Sequence, residues 1–217
     1  MTPILKIHSV SFGISSVIIY NLGKHLYLLE TNSFIINLIV TFLVSLSFYK
    51  FVFHLILVIC KKTRFIKKIV LGKNYFEGLW IGYFIVDSKV EYYYELFEQN
   101  LEELTIKGRS YNKTKELTGE WTIQKPIVNV SGSRFTYYYE LDVANSNDVT
   151  LGYSKATIYW NKFSFPKKLV GFTVDKFSSK KQQYVSIKVC DNCDYEQWIN
   201  DNFWHQIQDI YCKTLVL

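Results

Sequence analysis

Hydrophobic and polar positions along this chain change their period twice. Up to about residue 60 the apolar residues run almost unbroken. Phe34 to Cys60, FIINLIVTFLVSLSFYKFVFHLILVIC, carries one full charge, Lys50. About 20 apolar residues cross the hydrocarbon core, so this segment predicts a membrane-spanning helix over 34–60. Ile7 to Gly23 lies between Lys6 and Lys24 without a charge and predicts a first span over about 4–23, near the lower limit of length. Two alternatives for the first stretch are a cleaved signal peptide and an interfacial helix. The signal-peptide reading has only Lys6 as its basic region and no small-x-small cleavage site.

From Glu77 the pattern alternates with period two, in short β-rich runs broken by polar or turn-forming residues. Eight strands are predicted: 77–87, 89–98, 102–111, 117–124, 134–143, 150–161, 168–177 and 183–190. The connections Asp87-Ser88, NSND (145–148) and SSKK (178–181) are short, which suits antiparallel neighbours. In 194–213, DYEQWINDNFWHQIQDIYCK, the period becomes helical. Trp198, Ile199, Asn202, Phe203, Gln206, Ile207 and Ile210 share a face, and Asp194 is placed to cap the helix. Eight sequential strands in so short a span predict an antiparallel up-and-down barrel or a sandwich. An eight-stranded barrel just encloses one small ligand.

Charge sharpens the division. The formal net charge is +6, but residues 1–74 hold nine basic residues against Glu30 alone, and residues 75–217 hold sixteen against eighteen acids. The basicity belongs to the N-terminal third, and the β-rich part has no surplus with which to hold a duplex. KKTRFIKK (61–68) follows the second span directly, whereas the connector from Asn21 to Ser33 has only Lys24, His25 and Glu30. The positive-inside rule places the N-terminus and the C-terminal domain in the cytoplasm, with 61–74 a basic juxtamembrane linker. Lys50 and His54 share a helix face with Ser47, and Lys50 is about 16 Å of helical rise from Lys61. An intramembrane cation of this kind faces protein or water. This face is expected to pack against another helix in an oligomer, unless the span boundary is shifted so that Lys50 meets an interface.

The size of the inward residues separates a filled barrel from a hollow one. Period-two neighbours of the glycines read Gly78/Trp80/Gly82, Ile106/Gly108/Ser110, Gly119/Trp121/Ile123, Gly152/Ser154/Ala156 with Ile158 and Trp160, and Leu169/Gly171/Thr173. A solid core would carry Val, Ile and Leu there. Small residues with an occasional ring predict spare volume, unless the glycines mark bulges at barrel corners. YYYELFEQNLEELTIKG (92–108) and YYYELDVANSNDVTLGY (137–153) share a pattern that puts Tyr137, Tyr139 and Leu141 on one face, opposite Tyr138 and Glu140.

Chemistry beyond binding has little support. Cys190 and Cys193, with His205 and Cys212, make a zinc set by number, but the second pair lacks the usual short spacing. Reduced cysteines at the strand–helix junction are the simpler reading, and no metal is expected. Glu91, Glu95, Glu102 and Glu103 read as a solvated face. No P-loop, nucleophile elbow or H-E-x-x-H occurs, so no catalytic residue and no enzyme is expected.

Two spans, a basic junction and the ordered run G-x-W-x-G, L-x-I-x-G-x-S, G-x-W, Y-x-Y, G-x-S-x-A-x-I-x-W and L-x-G-x-T together resemble the two-transmembrane β-barrel effectors of bacterial CBASS antiphage systems, which accompany cGAS-like nucleotidyltransferases. The resemblance covers essentially the whole chain and rests on order and spacing. It implies a lipocalin-like barrel that binds a cyclic dinucleotide second messenger, homo-oligomerisation in the inner membrane, membrane disruption and death of the phage-infected cell. No cofactor and no nucleic-acid partner is implied. On the predicted inner face Trp80, Trp121, Tyr137, Tyr139 and Trp160 offer stacking surfaces for bases. Ser110, Ser154 and Thr173 offer hydroxyls, and Lys188 and Arg109 offer charge for phosphates. Arg109 has the opposite parity from Ser110 and needs a bulge or a rim position to point inward. Competing expectations are a membrane-tethered fatty-acid-binding barrel and a structural, membrane-anchored interaction module.

Overall fold

A computed structural model describes residues 3–26, 34–86, 89–124, 127–129, 132–143, 149–175, 181–191 and 193–215. The chain divides into two compact units, residues 1–71 and 72–217. The predicted connections at Asp87-Ser88, 145–148 and 178–180, and most of the connector 21–33, lie outside the described residues.

The first unit is a helical hairpin. Helix α1 (Pro3–Leu26) and helix α2 (Phe34–Lys62) are each long and apolar enough to cross a membrane. One seam joins them: the His8 ring stacks on Phe53 with centroids 4.2 Å apart and hydrogen-bonds the Tyr49 hydroxyl. Away from that seam, Ser47, Lys50 and His54 are all exposed on α2. The linker expected at 61–74 is instead mostly ordered helix: α3 (Arg64–Leu71), then a 3-10 turn over Gly72–Asn74. Phe65 and Ile69 stand exposed one turn apart on α3 beside Arg64. Charge density hid the helical spacing of these apolar positions.

The second unit is an eight-stranded, closed, antiparallel up-and-down barrel followed by a helix. Its strands are β1 (Gly78–Val86), β2 (Lys89–Gln99), β3 (Leu104–Tyr111), β4 (Leu117–Gln124), β5 (Ile127–Asn129), β6 (Arg134–Val143), β7 (Val149–Trp160), β8 (Pro166–Asp175) and β9 (Lys181–Cys190). Strands pair in the order β4-β3-β2-β1-β9-β8-β7-β6-β5, and β4 pairs with β6 to close the sheet. The sequence reading lacks β5, a three-residue piece too short to show a period. Trp121 opposes Leu141 and Ile127 opposes Thr136 on the same strand, nearly in one register. Strands β4 and β5 therefore act as two halves of one stave, and the barrel has eight.

Parity along the strands matches expectation where side chains are described. Phe135 and Tyr137 are buried and Tyr138 is 73% exposed. Helix α4 (Tyr195–Leu215) packs Phe203 and Ile207 on the outer wall against Ile81, Tyr83, Tyr92 and Val185. Asp194 caps it, its Oδ1 accepting from the Gln197 amide at 3.2 Å.

Three of the barrel glycines sit opposite rings, while Gly78, Gly119 and Gly171 meet the Cys190 carbonyl, Leu141 and the Lys155 carbonyl. In the ladder Gly82 faces Tyr93, Gly108 faces Trp121 and Gly152 faces Tyr139. A Cβ on Gly108 would lie 2.2 Å from the Trp121 ring, one on Gly152 2.3 Å from the Tyr139 hydroxyl, and one on Gly82 2.5 Å from the Tyr93 ring. The expectation that these glycines leave empty volume is thus corrected. Each is the seat of a neighbouring strand's aromatic ring, the packing that otherwise weak glycine positions in sheets receive from cross-strand rings. Gly108→Ala should destabilise the protein by roughly 1–3 kcal/mol through overpacking. Denaturant unfolding in detergent, with tryptophan fluorescence reporting displacement of Trp121, checks this.

Candidate functional site

The barrel interior is filled at one end and hollow at the other. At the filled end Phe76, Trp80, Phe97 and Phe135 are fully buried. Phe76 lies 5.1 Å from Phe135 and Trp80 lies 5.1 Å from Phe97, centroid to centroid. Trp80 spends its indole N–H on the Phe76 carbonyl at 2.9 Å. The Trp80 expected to stack on a ligand is therefore core. Lys188 lies at this end too, opposite Trp80 in the ladder, 2.6 Å from Asp191 and over the rings of Tyr75 and Trp80. A buried ammonium is tolerable there because a carboxylate and two ring faces replace its water. Its place removes it from any ligand at the opposite end.

Toward the other end a cavity of about 90 Å³ opens between Phe84, Tyr93, Glu95, Ser110, Trp121, Tyr137, Tyr139, Leu141, Thr173, Gln182 and Tyr184. Five expected residues come together here: Ser110, Trp121, Tyr137, Tyr139 and Thr173. Ser154 stands behind the wall, buried, and donates to the Tyr184 hydroxyl at 2.9 Å. Thr173 donates to the Tyr139 hydroxyl at 2.8 Å, and Ser110 shares a hydrogen bond with Thr118 at 2.8 Å. Arg109 is excluded. It projects from the outer wall, half exposed, and pairs with Glu120 at 2.6 Å directly across the β3–β4 ladder. The bulge that would turn it inward does not form at Arg109, since the register shifts only after Ser110.

Glu95 is the residue that pattern reading placed wrongly. It reads as part of a solvated face, yet it is 2% exposed and lines the cavity. Its Oε1 accepts from Trp121 Nε1 at 3.2 Å and from the Tyr137 hydroxyl at 3.3 Å. Burial pushes its carboxyl up to about 7, against the two hydrogen bonds that favour the charged form. Burial likewise holds the Tyr93, Tyr137 and Tyr184 hydroxyls protonated, well above their ordinary range. The missed signal was parity. Glu95 falls between Tyr93 and Phe97 at period two, and in the ladder it lies between Trp80 and Gly108, all inward positions.

A larger hollow of about 300 Å³ lies between Tyr83, Ile85, Val170, Phe172, Lys181, Gln183 and Val185. No described acid lines it, whereas the buried Glu95 and the buried Tyr93, Tyr137 and Tyr184 converge on the interior cavity, which is therefore the candidate site. The expected thiols differ as well. Cys190 and Cys193 form a disulfide with Cα atoms 6.1 Å apart, because the turn after β9 brings the two close enough to bridge. Among the described residues no group of metal-ligating side chains gathers, and Cys212 is exposed on α4. No family model, curated protein or solved structure matches the chain.

The burial of Glu95 has a signed consequence for stability. The folded protein binds this proton more tightly than the unfolded chain, whose carboxyl has the ordinary value of 4.5. Its stabilising contribution is complete below about pH 4.5 and is lost as pH rises through about 7. Glu95→Gln keeps an acceptor for Trp121 and Tyr137 and removes the charge. It should unfold at a higher temperature than the parent at pH 8, by the equivalent of about 3 kcal/mol. At pH 4.5 the difference should vanish, as paired melting curves would record.

Proposed function

We propose that the chain is a membrane-anchored receptor whose barrel binds a cyclic dinucleotide at its open end. The observation that carries the reading is the asymmetry of the barrel. One end is plugged by packed rings. The other gathers Tyr93, Trp121, Tyr137 and Tyr139 around hydroxyls and one carboxyl. Flat π-faces with convergent polar atoms suit a nucleobase. At about 90 Å³ the cavity is smaller than the roughly 150 Å³ that accommodates benzene. A base therefore enters as the half-buried rim residues Phe84 and Tyr139 move aside. Among the described lining residues none is a cation, so the phosphates remain at the wet mouth.

The fatty-acid reading is weaker on the same geometry. A fatty-acid carboxylate would meet Glu95, and Leu141 is the one aliphatic side chain among the described lining residues. In the cellular part of the proposal, the hairpin spans the bacterial inner membrane with the barrel in the cytoplasm, as the basic run after α2 favours. Ligand binding then drives hairpins to associate through the exposed Ser47, Lys50 and His54 face. Assembly breaches the membrane and kills the infected cell.

Thermal unfolding of the full chain in detergent, against a panel of cyclic dinucleotides and fatty acids, tests the reading. A cognate ligand at 100 times its Kd adds about 2.7 kcal/mol. A flat response to every cyclic dinucleotide, with a shift from a fatty acid, would transfer the protein to the lipid-binding class. For the membrane part, Lys50→Leu should weaken ligand-dependent assembly seen by cross-linking in membranes. An undiminished ladder of cross-linked species would remove this face from the mechanism.

A further inference from the structure

Glu95 meets protein donors on one of its oxygens only. Oε1 accepts from Trp121 on β4 and Tyr137 on β6. Among the described residues no donor reaches Oε2, while the side chain is buried and lines the cavity. The ionisable groups facing it are Tyr93 on its own strand, Tyr137 on β6 and Tyr184 on β9, all with hydroxyls held neutral by burial. No described cation lines the cavity. Farther along β2, Glu91 accepts from Thr118 at 2.8 Å, and Lys188 belongs to the plugged end. An ionised carboxylate in this setting has unused acceptor sites that only incoming N–H or O–H groups can satisfy.

The walls then decide which donors. Tyr93 and Trp121 meet edge to face with centroids 6.0 Å apart, and Tyr137 and Tyr139 do so at 6.4 Å. Once the rim residues Phe84 and Tyr139 move aside, these rings would border a planar group whose edge meets Glu95. Among the nucleobases only guanine presents two adjacent N–H donors on its pairing edge, N1–H and N2–H2. Adenine and cytosine set a ring-nitrogen acceptor beside their amino group, and uracil flanks its N3–H with carbonyls. Each of these would aim a lone pair at a carboxylate lone pair.

We infer that Glu95 is the specificity-determining residue of the barrel pocket, selecting a guanine base by accepting N–H donors at its cavity-facing carboxylate oxygen. The inference rests on the cyclic-dinucleotide reading and adds the identity of the buried base. It also gives binding a proton dependence of definite sign. Guanine requires the ionised carboxylate, so affinity falls as pH drops through the upper-range value that burial imposes on Glu95.

Isothermal titration of the full-length protein in detergent, with cyclic di-GMP, cyclic di-AMP and the mixed cyclic GMP–AMP, provides the test. At pH 8 the guanine-containing ligands should bind at least tenfold more tightly than cyclic di-AMP, because a mismatched edge leaves buried polar groups unpaired. Lowering the pH to 6 should weaken cyclic di-GMP binding about tenfold. Glu95→Gln retains its acceptor for Trp121 and Tyr137 but turns an N–H donor toward the cavity. It should abolish the pH dependence and invert the preference toward adenine, with melting curves confirming that the variant is folded. Equal or tighter binding of cyclic di-AMP by the parent, or an unchanged preference in folded Glu95→Gln, would overturn the role of Glu95 and leave the receptor reading standing. Absence of binding by all three ligands would overturn both.

Discussion

The barrel depends on a close approach between aromatic rings and glycines of adjacent strands. Trp121 lies over Gly108, Tyr139 over Gly152 and Tyr93 over Gly82. In each pair the ring occupies the space where a Cβ would be. Rings laid along the wall take less of the barrel axis than rings pointing straight across it. Three of the cavity's aromatic walls are therefore fixed by backbone positions on other strands, not by their own rotamer preferences alone. The same seats account for how an eight-stranded barrel rich in Tyr, Phe and Trp keeps any cavity at all.

The two ends divide the work of stability and recognition. Phe76, Trp80, Phe97 and Phe135 bury their rings against one another, and the Lys188–Asp191 pair closes that end against Tyr75. The open end gives up close packing and holds a buried acid instead. A carboxyl with two long hydrogen bonds and little other compensation costs folding energy once it ionises. Such a group belongs where something else completes its bonding, as buried titratable groups at functional sites commonly do.

Much of this was legible in the sequence, for identifiable reasons. The two apolar helices and eight of the nine strand segments follow from period and length, and Asp194 marks the start of α4. Strand β5 was not legible because three residues carry no period, and α3 was hidden beneath its charges. Within the site, parity correctly put Ser110, Trp121, Tyr137, Tyr139 and Thr173 on the inner face. Parity does not report height along the barrel axis. Trp80 and Lys188 therefore read as ligand contacts, whereas their packing against Phe76, Phe97 and Tyr75 puts them in the plug. Glu95 differs, because a carboxylate reads as solvent-facing by residue type while the period of its neighbours Tyr93 and Phe97 puts it inside. Arg109 shows the reverse, since its parity points outward and the structure keeps it there against Glu120.

The divided stave bears on how the barrel moves. Strand β4 meets β6 through three described residue pairs, Gly119 with Val143, Glu120 with Asp142 and Trp121 with Leu141. Strand β5 meets it through three more, so this stave is broken in two, whereas β1 pairs with β2 over nine residues without a break. A closed sheet resists widening around its whole circumference, and that resistance is set by its shortest ladder. The hoop is therefore softest at a seam that includes Trp121 and Leu141, two walls of the cavity. Swelling of the mouth to admit a guest would strain this seam before any other. Occupancy would then be felt in the circumference of the barrel as well as in the rotamers at its rim.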